Sequence, residues 1–527
     1  MVYNSFVYLL LFLPAAVLLY HAIPSPVRFY VIPAASILFL SCFGPAGIFF
    51  VFADAAVLYL CTLFIGKKDE ERKKACEGLD RKAKKAVRAQ YDRKKARALK
   101  LGLILLFGIL FATKYLEFFT GILNGILHAA GIQTIFTAPA LPLPLGVSFY
   151  TLSGAGYLID VYMGDSRPEK NFVKVFAFLC FFPTITEGPI CRFGQLSETM
   201  FAGRRFSFEE FCAAVQRILF GLFQKVVLAD QLGNLIREIF GNYGKYSGTA
   251  IAAGIILYTV QIYMDFCGCI HIAAGSAELF GIKLPENFRQ PFFSQNVDEF
   301  WRRWHITLGA WLRDYVFYPV SLSRPLMELS KKLQGRIDPY YAALIPTSIS
   351  LFAVWFSNGL WHGAQGKYIF YGLYYYLIMI TGKLLTPLFR KFMPDEKDAG
   401  RGVRLFRILR TWLFVAAGMT IFRADTLRDA AAMLSGIFSR GAGLAGFGAA
   451  MSAAGITRIQ LLMVFCGVLL MFVIGYYKER GTDIRQVIAA RPLAVRYAVY
   501  LGLMAAIIVL GAYGTGFGAN DFLYAKF

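Results

Sequence analysis

The fold class is decided by stretches such as residues 341–388, which read YAALIPTSISLFAVWFSNGLWHGAQGKYIFYGLYYYLIMITGKLLTPL. Two apolar runs flank a short polar insert, and each is long enough to cross about 30 Å of hydrocarbon as a helix. Backbone polar groups in lipid must be satisfied internally, so only helices or closed barrels span a bilayer. The alternating strands of a barrel, about ten residues each, are absent. The sequence therefore predicts an all-α, polytopic membrane helix bundle.

Runs of this kind recur along the whole chain. Of its 527 residues, 57% are hydrophobic and 17% are charged, against about 25% charged in a typical soluble domain. We predict about eleven spans, drawn from apolar segments near 4–22, 28–43, 46–66, 100–128, 146–162, 171–186, 212–230, 248–270, 341–360, 366–388, 404–423, 459–476 and 494–513. The first run has no basic leader and is predicted to be a retained helix.

Of the net charge of +22, +9 lies in one loop between predicted spans, since Lys67 to Lys100 holds 15 basic and 6 acidic residues. A basic chain can bind nucleic acid, but this placement argues against it. Basic loops lie on the cytoplasmic side of membrane proteins and attract anionic lipid. We predict a solvated cytoplasmic helical hairpin, with the N-terminus outside after three crossings. The alternative is a docking surface for a cytoplasmic donor protein.

Residues 284–324, LPENFRQPFFSQNVDEFWRRWHITLGAWLRDYVFYPVSLSR, cannot be an ordinary span because charges and tryptophans crowd them. Aromatic and apolar residues recur at three- and four-residue steps, which predicts one helical face. That face comprises Trp301, Trp304, His305, Leu308, Trp311, Leu312 and Tyr315. Asp298 with Arg302, and Glu299 with Arg303, form i,i+4 ion pairs on the other side. The pattern indicates an amphipathic helix that lies at the interface or re-enters the protein.

Two of the five histidines are candidates for chemistry. His362 lies between two apolar spans, with Asn358 one turn before it and glycines on both sides. Ionisable groups at membrane depth are costly, and by default they line a bundle interior or a wet cavity. Imidazole also has the unperturbed pKa best suited to proton transfer near neutral pH. The residues alone also allow His362 to be a hydrogen-bonded core histidine. The position of His305 on the aromatic face fits packing as well as catalysis.

The other titratable residues favour structural roles. His21 and His128 lie at the ends of spans, and His271 either faces a pore or bonds a neighbouring helix. The nine cysteines are odd in number and form no CxxC pair, so we predict small core residues rather than disulfides or a metal site. No nucleotide-binding or hydrolase motif occurs. We find no internal repeat and expect no charges spread through several spans, which disfavours a transporter or channel.

Several blocks, taken in order, resemble the membrane-bound O-acyltransferase family. They are PLPLGVSFYTLSGAGYLIDVY at 142–162, FFPTITEGPICRF at 181–193, the segment 258–292, EFWRRWHITLGAWLRDYVFYP at 299–319, NGLWHG at 358–363 and IFRADTLRDAAAML at 421–434. The closing FLYAKF is similar to the aromatic tail of that family. The likeness is greatest to the bacterial branch that acts in alginate O-acetylation and in D-alanylation of teichoic acids. It covers most of the chain from about residue 140 onward.

The resemblance implies a bundle of helices around a central cavity, with re-entrant pieces that reach the middle of the membrane. N-terminal transmembrane hairpins would occupy 1–66, and the basic cytoplasmic loop 67–100. The family core would span 101–390 and contain the re-entrant or interfacial region 284–324. C-terminal transmembrane helices would occupy 391–527.

The invariant histidine of the family corresponds to His362, and the second conserved histidine of this branch corresponds to His305. The resemblance implies that His362 acts as a general base on an incoming hydroxyl, while His305 orients the donor or polarises its carbonyl. Asn358 would donate a hydrogen bond to a developing oxyanion. The tryptophans expected to wall the cavity and exclude water are Trp301, Trp304, Trp311 and Trp361. We expect neither a metal nor a bound cofactor.

The donor implied is a cytoplasmic thioester, either acetyl-CoA or an acyl carrier protein. The acceptor implied is an extracytoplasmic cell-envelope polymer or exopolysaccharide, reached through a separate extracytoplasmic transferase. We expect an acetyl group, a multi-pass protein of the bacterial inner membrane, and contact with lipid but not nucleic acid. The alternatives are D-alanyl transfer to teichoic acid, a transporter and an inactive scaffold. Two departures from the family concern the acceptor and the partner: His271 replaces an acidic or polar residue, and VSLSR follows Pro319 where Gly-Gly is usual.

Overall fold

The computed structural model describes residues 2–133, 135–139, 141–389 and 400–513. Within these ranges the regular structure is helical, and β-pairing is limited to isolated bridges. The C-terminal aromatic tail and the start of the predicted C-terminal region lie outside the described residues. The chain forms two compact units, Met1–Val215 with Ala273–Pro285, and Gln216–Ile272 with Glu286–Phe527.

The first unit is built from long apolar helices and shorter connecting ones. They are π-helical Val7–Phe12, Leu13–Ala22, Val31–Ser41, Pro45–Ala75, Arg81–Leu110, π-helical Phe111–Tyr115, Leu116–Ala129, Val147–Met163, Phe172–Cys180, Phe182–Ile185 and Phe193–Met200, with a 3-10 turn at Arg28–Tyr30. Aromatic rings fill part of its core. The rings of Phe12 and Phe182 meet edge-on at 5.2 Å, and Tyr8 stacks on Phe12 at 5.7 Å. Aromatic pairs of this geometry contribute beyond their buried area.

The basic segment forms a helical hairpin, as the sequence predicts, because two long helices follow each other there with a short turn between them. The side chain of Asp80 caps the second helix, satisfying a backbone N–H that has no partner within the helix. Arg72 pairs across the hairpin with Asp92 at 3.3 Å, and Lys95 pairs with Asp69 at 2.9 Å. These ion pairs hold the two helices side by side.

The second unit contains most of the remaining helices. They are π-helical Phe223–Ala229, Asp230–Gly241, Val297–Arg303, Ile306–Leu312, π-helical Arg313–Phe317, Tyr318–Ser321, Arg324–Leu333, Pro339–His362, Gly366–Phe389, Arg401–Arg423, Leu427–Ser439, Leu444–Ala453, Arg458–Glu479, Ile484–Ala489 and Leu493–Leu510, with 3-10 turns at Tyr243–Lys245 and Pro291–Phe293. Phe208–Leu222 and Gly248–Glu278 contribute residues to both units.

Nine helices of the described residues are long and apolar enough to cross a membrane. Val7–Ala22, Arg28–Ser41 and Leu444–Ala453 are apolar but shorter. The predicted all-α membrane bundle is confirmed, whereas the count of about eleven spans is not.

The nine cysteines are all free. Five are buried, but Cys42 and Cys466 are exposed, so the prediction of a core position is wrong for these two. The reason is that a small apolar side chain is tolerated on a helix face that meets lipid as well as in a core.

Candidate functional site

The segment that follows Leu284 does not form the single helix that its periodicity predicts. One helix ends at Arg303 and a second begins at Ile306. The two residues between them, Trp304 and His305, are not helical. His305 has left-handed backbone angles, φ 47° and ψ 52°. Among the described residues, Gln290 is the other non-glycine residue with positive φ. The prediction of one continuous helical face is therefore wrong.

The break is held by an extended segment that precedes it in the chain. Phe288 and Trp304 form an antiparallel β-bridge. The N–H of Ile306 donates to the carbonyl of Asn287 at 3.0 Å. Because these bonds replace those a continuous helix would make, His305 lies between two short helices. Strained backbone of this kind costs about 1–3 kcal/mol and persists only where its surroundings fix it.

His305 is buried, with 3% of its surface exposed. Its Nδ1 lies 3.3 Å from Oδ1 of Asn287. The imidazole meets the ring of Phe266 edge-on at 4.9 Å and the ring of Trp361 at 5.5 Å. Burial lowers the pKa of His305 to about 3, so the imidazole is neutral at physiological pH. Its Nε2 is buried and has no hydrogen-bond partner among the described residues.

His362 is the last residue of a long helix and is also 3% exposed. Its imidazole meets Tyr371 edge-on at 5.6 Å and Phe422 at 5.2 Å. The indole of Trp361 lies 4.9 Å from His362 and also contacts His305. The structure thus brings the two predicted histidines together around one indole ring.

Asn358 lies one helical turn before His362, so the two side chains leave the helix on the same face. Asn358 is 5% exposed, and its Nδ2 has no hydrogen-bond partner within the described part of the chain. Two glycines set the position of this helix. A Cβ on Gly372 would overlap the carbonyl oxygen of Trp355, and the added Cβ would also crowd the backbone at Gly359.

The predicted tryptophan wall is only partly assembled around the histidines. Trp301 lies 6.3 Å from the ring of Tyr371, the same ring that meets His362. Trp304 neighbours the histidine in sequence but is 2% exposed within a cluster of other aromatic rings. Trp311 packs against a tyrosine in the next helical turn.

Ion pairs anchor the short helix that precedes His305. Arg303 pairs with Glu299 at 2.6 Å, as predicted, and also with Glu479 at 2.7 Å. Burial by itself would lower the pKa of Arg303, but these two carboxylates outweigh it and raise that pKa. Asp298 pairs with Lys383 at 3.2 Å rather than with Arg302, because the helix turns this carboxylate towards a neighbouring helix.

The structure also contains a buried ion cluster that the sequence analysis missed. Lys225 pairs with Asp230 at 2.7 Å and with Asp265. Asp265 lies directly before Phe266, the ring that meets His305. Charges therefore occur in two neighbouring spans, and the expectation that they would not is wrong. The available signal was a charged residue inside each of two apolar runs.

The other three histidines have structural surroundings. His271 accepts a hydrogen bond from Nε of Arg217 at 3.4 Å, which matches the expected bond to a neighbouring helix. His21 contacts the carbonyl of Leu279 through Nε2 at 3.0 Å, and His128 is exposed. In the ranges that the structure describes, no group of three His, Cys, Asp or Glu side chains could hold a metal ion.

Comparisons with known proteins identify the family of this chain. The model of the membrane-bound O-acyltransferase family matches residues 134–332. A probable alginate O-acetylase of Azotobacter vinelandii is 31% identical over 442 residues, which are 84% of this chain and 79% of that protein. A teichoic acid D-alanyltransferase of Bacillus subtilis is 28% identical over 53% of this chain and 68% of its own length. A peptidoglycan O-acetyltransferase of Helicobacter pylori is 27% identical over 64% of each chain.

Proposed function

Because this chain belongs to the membrane-bound O-acyltransferase family and is a polytopic membrane O-acyltransferase, we propose that it moves an acyl group from a cytoplasmic thioester to a cell-envelope polymer. The alginate-type relative, which is an O-acetylase by name, supports acetyl as the group. D-alanyl is the second candidate, since a teichoic acid D-alanyltransferase is also similar to this chain.

One observation carries the proposal: two buried imidazoles contact a single indole, with a buried amide one turn from His362. An attacking hydroxyl must lose its proton as its oxygen bonds to the thioester carbon. His362 accepts that proton, and a positioned base of this kind contributes about 10²–10⁴-fold. The C–S bond then breaks, and the leaving thiolate takes the proton from the imidazolium and departs as a thiol. His305 orients the donor beside the same indole.

Asn358 stabilises the charge that develops on the carbonyl oxygen. Its Nδ2 is buried, and no described residue accepts a hydrogen bond from it, so it can donate to the oxyanion without breaking another bond. Preorganised donors in a water-excluded site are often the largest contribution to acyl transfer. The rings of Trp361 and Trp301 limit the access of water, which would otherwise hydrolyse the thioester.

The two sides of the membrane have different roles in this proposal. The basic hairpin supports a cytoplasmic position for that end of the protein, in a bacterial inner membrane, and the thioester approaches from that side. The attacking hydroxyl belongs to an acceptor that carries the acyl group as an ester to the other side, where a separate transferase passes it to the polymer. The names of the relatives, which specify alginate, teichoic acid and peptidoglycan, support a polymer acceptor.

The test compares His362→Gln with His128→Gln in otherwise identical cells, at matched abundance in the membrane. Glutamine keeps a polar side chain of similar length but cannot act as a base near neutral pH. His128 is the matched control because it is an exposed histidine at a helix end. Mild alkali releases ester-linked groups from the envelope, and the released acid is identified and quantified.

We expect wild type and His128→Gln to release the same acid in equal amounts, and His362→Gln to release almost none. Acetate would identify an O-acetylase, and D-alanine the second candidate. Equal release from all three strains would refute the role of His362. Release that does not depend on the presence of the protein would refute the proposed activity itself.

A further inference from the structure

The side chain of Asn287 organises the backbone and the imidazole at the helix break. It is fully buried. Its Oδ1 accepts a hydrogen bond from the N–H of Thr307 at 3.0 Å and another from the Thr307 hydroxyl at 2.9 Å. The same oxygen lies 3.3 Å from Nδ1 of His305. One amide oxygen therefore meets both the start of a helix and one nitrogen of the imidazole.

These contacts determine which imidazole nitrogen carries the hydrogen. The backbone N–H of Thr307 can only donate, so the side-chain atom of Asn287 that it meets must be the oxygen. An amide oxygen can only accept, and two lone pairs in contact would repel each other. Nδ1 of His305 therefore carries a hydrogen. A neutral imidazole carries one hydrogen, so Nε2 keeps its lone pair.

We propose that Asn287 is a positioning residue that holds His305 as the Nδ1–H tautomer, so that Nε2 of His305 is an acceptor in the acyl-transfer site. This inference rests on the proposed function. It specifies the chemistry of the group that His305 meets, which must bring a hydrogen. The hydroxyl of an acceptor fits, and so does an amide N–H of the pantetheine arm that CoA and carrier-protein thioesters share. A carbonyl oxygen does not fit.

The same amide also accounts for the unusual backbone at this site. The carbonyl of Asn287 accepts from Ile306 N–H at 3.0 Å, while its Oδ1 accepts from Thr307 N–H. The first two backbone N–H groups of the helix that begins at Ile306 are thus hydrogen-bonded to Asn287, which lies outside that helix. The side chain of His305, at the N-cap position, makes no capping bond. Its imidazole is therefore available to a ligand rather than used by the helix.

A direct test is magic-angle-spinning ¹⁵N NMR of the full-length protein, labelled only in histidine and embedded in lipid. The chain has five histidines, so the resonances of His305 can be assigned by their loss in His305→Gln. The test variant is Asn287→Leu, which removes the acceptor at similar volume, and Asn287→Asp keeps an acceptor. Asn296→Asp is the matched control, because Asn296 caps the preceding helix through its side chain and aspartate caps equally well.

In the wild-type protein and in Asn296→Asp, we expect a protonated Nδ1 and an unprotonated Nε2 on His305. Asn287→Asp should keep Nδ1 protonated, whereas Asn287→Leu should give a mixture of tautomers or the Nε2–H form. A wild-type spectrum with unprotonated Nδ1 would overturn the inference. So would a tautomer that is unchanged in Asn287→Leu. If Asn287→Leu does not fold, the spectra of the wild type and Asn287→Asp still decide the question.

Ester release from the same strains separates this inference from the proposed function. We expect Asn287→Leu to lose about 10²-fold in release, the order of loss that a misplaced orienting group causes, while Asn296→Asp stays at the wild-type level. The tautomer is read from the protein itself and needs no turnover. A wild-type protein with the expected tautomer but no acyl transfer would refute the function alone. Full activity in Asn287→Leu with a changed tautomer would refute the part that Nε2 of His305 plays in acyl transfer.

Discussion

Replacing Gly372 by alanine tests whether contact between two helices positions His362. The added Cβ would overlap the carbonyl oxygen of Trp355 and lie 3.2 Å from the backbone nitrogen of Gly359. Both neighbours are backbone atoms of the helix that ends at His362, so that helix must move by about 1 Å to restore van der Waals contact. Overpacking of this kind costs about 1–3 kcal/mol. A displacement of about 1 Å near reacting groups can lower a rate about 10²-fold. We therefore expect a folded Gly372→Ala protein with about 10²-fold less acyl transfer.

Gly382→Ala is the matched control for this experiment. Gly382 lies on the same helix as Gly372, but no atom lies within 4 Å of its added Cβ. Alanine there should stabilise the helix by up to about 1 kcal/mol. The assay is the initial rate of ester formation in membranes, normalised to protein abundance, together with the thermal unfolding midpoint of each purified protein. A Gly372→Ala rate within about threefold of the control, or less than about 1 kcal/mol in activation free energy, would refute the reasoning.

Three further outcomes follow from the buried titratable groups. Lys225→Met leaves the Asp265 carboxylate without its cation and should lower the free energy of unfolding by about 3–5 kcal/mol. The second substitution Asp265→Leu should recover most of that loss, as measured by thermal unfolding. A double variant that recovers nothing would contradict the pairing. Burial lowers the pKa of His305 to about 3, whereas the unfolded chain takes up this proton below about pH 6.5. The stability contributed by the neutral imidazole is therefore complete above that pH and is lost as the pH falls towards 3, so the unfolding midpoint should fall more between about pH 7 and pH 5 in wild type than in His305→Gln. His271→Gln exchanges one acceptor for Arg217 for another and should change ester release by less than about fivefold, since one hydrogen bond contributes about 1 kcal/mol. A larger loss would give His271 a part in transfer.

The features that the sequence predicts correctly depend on residues that are close to one another in the chain. Apolar runs locate the long helices because each helix must cover the hydrocarbon thickness by itself. The basic hairpin is predicted for the same reason, since its charges interrupt two such runs. The spacing of Asn358 and His362 places both on one face because four residues make about one helical turn. The resemblance to a family adds His305, which its position in a tryptophan-rich segment does not single out.

The features that the sequence does not predict depend on residues that are distant in the chain. The apolar periodicity of 301–315 runs through Trp304 and His305 without interruption, so nothing local marks the break between the two short helices. The break comes from Asn287 and Phe288, which pair with residues about 16 to 19 positions later. Lys225 and Asp265 likewise meet only when two helices pack. Neither a local pattern nor composition contains these contacts.

The length of the second helix of the basic hairpin also determines how much space the protein occupies beside the membrane. Arg81–Ala129 is 49 residues long, or about 74 Å at 1.5 Å per residue. The hydrocarbon layer is only about 30 Å thick. Its first twenty positions hold ten basic residues and measure about 30 Å, close to the diameter of a small folded domain. A helix that crosses the hydrocarbon layer therefore carries its basic end, with those ten cationic side chains, well beyond that layer, to the depth of a small folded domain.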